Sequence, residues 1–91
     1  MAELKIGGLA KSRAGHDKDE LYVVVGQDER YAYVCDGRYH PLDKPKRKNP
    51  KHLAPLKGGG DSFEMKLTQA GGAKDHEIRA YIRSRKQQEG I

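Results

Sequence analysis

The sequence predicts a mainly β fold, a small five-stranded barrel with a C-terminal helical extension, and three observations carry that expectation. Two runs dominated by β-branched and aromatic residues, Leu21 to Val25 and Tyr31 to Cys35, flank a short loop from Gly26 to Arg30, which is the pattern of a β-hairpin. Hydrophobic residues are 35% of the 91-residue chain and charged residues 34%, so one core must be assembled economically beneath an extensive polar surface. Near the end, Ile78, Tyr81 and Ile82 recur at i, i+3 and i+4 before Gly90, the spacing of an amphipathic helix with a glycine stop.

Each element has its own signal. Leu9-Ala10-Lys11-Ser12 reads as a short first strand, and the polar stretch Arg13 to Glu20 around Gly15 as a loop. The hairpin described above supplies strands two and three. Asp36-Gly37 is then a two-residue type I′ turn signal, because both central positions need positive φ, and Arg38-Tyr39-His40-Pro41-Leu42 is expected to return as the fourth strand. Pro45 and Pro50 hold the following basic tract in extended or turn backbone. His52-Leu53-Ala54-Pro55-Leu56 closes the count at a sheet edge, where Pro55 is tolerated.

The barrel therefore spans residues 6–57, and Gly58-Gly59-Gly60 opens a Gly-rich linker over 58–74. Within the linker Asp61-Ser62-Phe63-Glu64 has the form of a capping box and Ala70-Gly71 that of a stop, which predicts a short helix. The alternation of Phe63, Met65 and Leu67 fits a strand as the alternative. The amphipathic helix follows over 75–89, its polar face carrying Arg79, Arg83 and Lys86 as a basic stripe. That stripe is read as a solvated face, with a second phosphate contact as the alternative.

Charge narrows the function. Lys and Arg total 18 against 13 Asp and Glu, a net +5, and the excess is focused: Lys44, Lys46, Arg47, Lys48, Lys51 and Lys57 follow one another without a carboxylate. Prolines within this tract reduce the entropy lost on ordering it against a polyanion. Lysines give point contacts, Arg47 forks onto a phosphate or stacks on a base, and Asn49 and His52 add hydrogen bonds to sugars or base edges. Of the tyrosines, Tyr22, Tyr31 and Tyr33 read as core or half-core, while Tyr39 beside the tract is the best stacking candidate.

Other classes are excluded on the same grounds. Cys35 is a single cysteine, so no intramolecular disulfide forms, and it reads as a small buried hydrophobe. No run approaches the roughly 18 apolar residues of a membrane span, and the first residues lack a long apolar stretch, so a cytoplasmic protein with no membrane partner is expected. His16, His40, His52 and His76 are scattered without metal-site spacing, and Gly58-Gly59-Gly60 lacks the Lys-Ser/Thr of a phosphate loop. No metal, no cofactor, no small-molecule substrate and no enzymatic activity are expected.

The segment Gly8 to Val25 resembles the KOW motif of ribosomal proteins and NusG-type transcription factors. Ala10 and Lys11 fall in the motif's first strand, Gly15 on its central glycine, Asp17-Lys18 on its polar loop and Leu21 to Val25 on its second strand. Asp19 departs from the pattern, standing where the motif usually has a second glycine. Beyond it, Tyr33 to Arg38, Pro41-Leu42 and Lys44 to Leu53 are similar to a bacterial family of ribosomal-protein-like KOW-domain RNA-binding proteins, and Asp75 to Arg79 to that family's closing helix. The resemblance covers residues 8 to 56. It implies an SH3-like barrel that contacts ribosomal RNA and the ribosome through its first loop and basic connection, and a monomer is expected. The candidate RNA-binding residues are Lys11, Ser12, Arg13, Gly15, His16 and Lys18, then Tyr39, Lys44, Lys46, Arg47, Lys48, Asn49, Lys51 and His52. A protein-interaction module of the transcription or translation machinery is the alternative, although the lack of Trp weakens a proline-ligand groove. Double-stranded DNA is a third partner class.

Overall fold

The computed structural model describes residues 4–56, 67 and 72–88. Its centre is β2 (Leu21–Gln27), flanked by β1 (Leu9–Ser12) and β3 (Ala32–Cys35), with β4 (Lys46–Lys48) and β5 (Leu53–Pro55) at the two edges. All pairings are antiparallel, in the order β4-β3-β2-β1-β5. The composition of β2 explains its place: Leu21, Tyr22, Val23 and Val24 are all buried, and only a strand covered on both faces is apolar without alternation.

The two faces are covered differently. Leu9, Leu21, Val23 and Cys35 point outward and pack against Ile78 and Ile82 of the helix α1 (Asp75–Gln88). Ala10, Tyr22, Val24, Ala32, Val34 and Leu53 point the other way and pack against each other. That second cluster requires the sheet to curl over itself, and the connection between its edges requires the same. Five flat strands would place β4 about 19 Å from β5 at about 4.8 Å per step. Asn49 and the single 3₁₀ turn Pro50–His52 join them, a path that reaches only about 14 Å. Curling is helped by a bulge at Val25, where the register slips between Val24↔Val34 and Gly26↔Tyr33. The ladder nevertheless stays open, since β4 and β5 are its unpaired ends.

One predicted strand is displaced. Arg38–Leu42 is a loop, and the fourth strand is Lys46–Lys48, inside the tract expected to be a loop. The backbone donors of the expected strand are already taken. Asp36 Oδ1 accepts from the Arg38 and His40 N–H groups, both at 2.9 Å, and Asp75 Oδ1 accepts from Leu42 N–H at 2.8 Å, while Pro41 has no N–H to offer. Nor is the turn type I′: Gly37 takes φ 78°, whereas Asp36 keeps a negative φ.

The remaining expectations sit close to the observed elements. The first strand is Leu9–Ser12, as predicted, and the closing strand is Leu53–Pro55, with His52 drawn into the 3₁₀ turn. The helix runs from Asp75 to Gln88; residue 89, the linker start at 57–60 and, apart from Leu67, the segment 61–71 read as a short helix or a strand lie outside the described residues. Leu67 is helical and packs against the cluster beneath α1. Among the described residues no helix is long and apolar enough to cross a membrane.

Candidate nucleic-acid interface

Strand alternation sorts the basic tract into two populations. With β4 paired as Ala32↔Lys48, Tyr33↔Arg47 and Val34↔Lys46, Lys46 and Lys48 fall on the inner face and Arg47 on the outer one. Lys48 is buried and Lys46 half-buried, while Arg47 is exposed. The expectation that Lys46, Arg47 and Lys48 form one solvent-facing run is therefore corrected: the two lysines are spent inside the fold.

Their partner is Asp17. Lys48 Nζ donates to Asp17 Oδ1 at 2.8 Å and to Ser12 Oγ at 2.8 Å, and Lys46 Nζ donates to Asp17 Oδ2 at 3.1 Å. Tyr22 Oη donates to Oδ2 at 2.6 Å, and the Ser12 hydroxyl lies 3.0 Å from Oδ1. Each carboxylate oxygen thus meets two donors, which is how a buried charge is tolerated. Burial by itself would raise the Asp17 carboxyl, but the hydrogen bonds from Lys48, Tyr22, Lys46 and Ser12 outweigh it and hold the group far below the usual carboxylate range. Burial, and then the Asp17 carboxylate, push the Tyr22 phenol well above its ordinary value. Asp17 thereby ties the first loop to β4. Ser12, at 1% exposure, is likewise a member of this network and presents nothing to solvent.

The loop itself is a tight closure. Ser12 N–H donates to Glu20 O at 2.9 Å and Asp19 N–H to Ser12 O at 2.8 Å. Gly15 takes φ 88° and Asp19 φ 74°. Position 19 thus adopts the left-handed backbone that favours glycine, which a short polar side chain tolerates best among the alternatives.

Around this clamp the other candidate residues face outward. Arg13, Gly15, His16, Lys18, Lys44, Arg47, Asn49, Lys51 and His52 are exposed, and Lys11 is half-buried. Arg13 N–H donates to His52 O at 2.7 Å, which sets the end of the first loop beside the 3₁₀ turn. Asn49 caps that turn, its Oδ1 accepting from Lys51 N–H at 3.0 Å. The Arg47 guanidinium lies over the Tyr31 ring, 4.6 Å from its centroid, within cation–π range, and the residue is exposed. No ion pair engages Arg13, Lys18, Lys44, Arg47 or Lys51 among the described residues.

A second feature was only half visible in the sequence. A cleft of about 830 Å³ opens between the first loop, the Asp36–His40 turn and α1. Arg83 and Lys86 line it opposite Tyr39, whereas Arg79 of the same stripe donates to Gly37 O at 2.6 Å and serves the fold. The tyrosines divide accordingly. Tyr22 is buried, Tyr31 and Tyr33 are half-buried, and Tyr39 is 81% exposed.

Cys35 lies at 0% exposure under α1 with Sγ directed at Pro41 O, 3.4 Å away, and burial pushes its thiol up to about 12. Alkylation by iodoacetamide at neutral pH is expected only after denaturation; labelling of the native protein at the rate of a free thiol would contradict this packing. Among the described residues no three His, Cys, Asp or Glu side chains gather as a metal site requires. No protein-family model and no curated protein matches the chain.

Proposed function

We propose that the chain binds structured RNA, ribosomal RNA foremost, as a ribosomal or ribosome-associated protein. One observation carries the reading: Asp17 joins the first loop to the basic tract through Lys46 and Lys48, 29 and 31 residues further on. The clamp holds the cations of the first loop and those of the β4 to β5 connection on one rigid frame. Because Lys46 and Lys48 are both engaged by Asp17, the outer set of Arg13, Lys18, Lys44, Arg47 and Lys51 remains for an external polyanion. Fixed cations on a small scaffold suit phosphate contacts, and hence recognition of RNA shape more than sequence. The strand order and the short turn between β4 and β5 suit the SH3-like barrel that the KOW resemblance implies.

The test is the salt dependence of binding to purified ribosomal RNA. Replacing Arg47→Glu and Lys51→Glu together is expected to weaken binding and flatten the slope of log K against log salt by about 1.4 to 1.8, two phosphate contacts at about 0.7 to 0.9 each. Both side chains are exposed, so the fold is retained. An unaltered slope removes these residues from the interface, and absence of binding by the wild type in dilute salt rejects the function.

A further inference from the structure

We infer that the cleft beside α1 takes one unstacked nucleotide of the bound RNA, its base stacked on Tyr39 and its phosphate held by Arg83 and Lys86. The inference rests on the RNA-binding reading and adds to it a second, chemically distinct subsite. Three features of the cleft point to a nucleotide and away from a bare polyanion or a duplex.

The first is size. About 830 Å³ falls within the range of small-ligand sites, about 300 to 1,000 Å³, and so admits a nucleotide but no helix of RNA. The second is the aromatic ring. Tyr39 is 81% exposed, so it contributes almost nothing to either core, and the Arg38 guanidinium 5.8 Å from its centroid adds a cation next to the stacking surface. Exposed aromatics flanked by cations are how proteins hold unstacked bases.

The third is the mixture of charge. Arg83 and Lys86 offer donors for a phosphate, yet Glu20 also lines the cleft and would repel a ligand that was phosphate alone. A nucleotide carries both kinds of group, since the amino or imino N–H of its base can donate to the Glu20 carboxylate. Asp17 and Asp36, the other carboxylates on the wall, are already engaged: the former by Lys46 and Lys48, the latter by the Arg38 and His40 N–H groups. Continuity with the main interface follows from His16, which belongs to the first loop and lines the cleft. One RNA can therefore rest its backbone on the outer cations and turn a single base inward.

Two RNA probes test this, a perfect duplex and the same duplex carrying one bulged 2-aminopurine. The wild type is expected to prefer the bulged duplex and to quench the 2-aminopurine fluorescence on binding. Tyr39→Ala should abolish the quenching and weaken binding to the bulged probe by about 5- to 100-fold, with little change for the perfect duplex. Tyr39→Phe should restore both signals. Arg83→Glu should weaken the bulged probe selectively. Both positions are exposed, and circular dichroism checks the fold of each variant. Equal binding of the two duplexes by the wild type, or unchanged quenching in Tyr39→Ala, overturns the nucleotide subsite while leaving RNA binding intact. Failure of the wild type to bind either duplex and ribosomal RNA overturns the function and the subsite together.

Discussion

Asp17→Ala is expected to destabilise the protein by about 3–5 kcal/mol and to weaken RNA binding although it removes a negative charge. The side chains of Asp17 and Lys48 are 14% and 9% exposed, so truncating one leaves the other as a buried charge without compensation. A loss of that size is a large part of the roughly 5–15 kcal/mol that holds a small domain together. Simple electrostatics gives the opposite sign for binding, because the variant's net charge rises above +5. Thermal and urea melts measure the first effect, and binding to ribosomal RNA at fixed salt measures the second. A variant as stable as the wild type that bound RNA more tightly would show that Asp17 merely dilutes a positive surface. The double variant Asp17→Leu with Lys48→Met separates the contributions. It removes both buried charges and should recover much of the stability, yet it loses the hydrogen bonds that fix the first loop against β4.

The same network sets the pH dependence. The folded-state pKa of Asp17 is depressed, so its contribution is present above the unfolded value of about 3.9 and is lost progressively as pH falls below it. Tyr22 is shifted upward, so its contribution is complete below about pH 10 and fades above that. Stability should therefore be level through neutrality and fall on both limbs. The acid limb should be shallower in the double variant.

How much of this is legible in the sequence depends on whether a residue's partner is near in the chain. β2 and β3 announce themselves because Val, Tyr and Leu runs are suited to strands whatever surrounds them. α1 does so because Ile78, Tyr81 and Ile82 mark one face. β4 is hidden: its inner positions are Lys46 and Lys48, and an inward-facing lysine makes sense only once Asp17 stands opposite it. No local pattern contains that information. The displaced fourth strand has the same origin, because the competitor for the Leu42 N–H is Asp75, 33 residues further on. Tyr39 and the Arg83–Lys86 stripe are each visible in the sequence, but their meeting across one cleft is a product of the tertiary fold. The departure at Asp19 is instructive in another way: a residue type that differs from the motif still adopts the backbone, φ 74°, that a glycine would have taken.

Gly37→Val tests what seats the helix. Gly37 has φ 78°, and a Cβ there would lie 2.5 Å from Asp75 O and 2.9 Å from Arg79 Cγ, both in α1. The closer contact cannot be relieved by a side-chain rotation, because Asp75 O is backbone. The left-handed conformation costs a β-branched residue about 1–2 kcal/mol or more, and relief of the clash requires α1 to move off the sheet. Moving it exposes part of Ile78 and Ile82, whose full burial stabilises by about 1.5–3 kcal/mol each. A total loss of several kcal/mol is therefore expected, with the backbone amides of α1 losing protection from hydrogen exchange before those of β2. Gly37→Ala should lie between the wild type and Gly37→Val. Full protection of α1 in the valine variant would mean that the helix is held without this contact. The functional consequence is selective, since Arg83 and Lys86 travel with α1 while Tyr39 stays with the loop. Preference for a bulged RNA should vanish, whereas the salt dependence carried by Arg47 and Lys51, which do not line the cleft, should persist in whatever fraction remains folded.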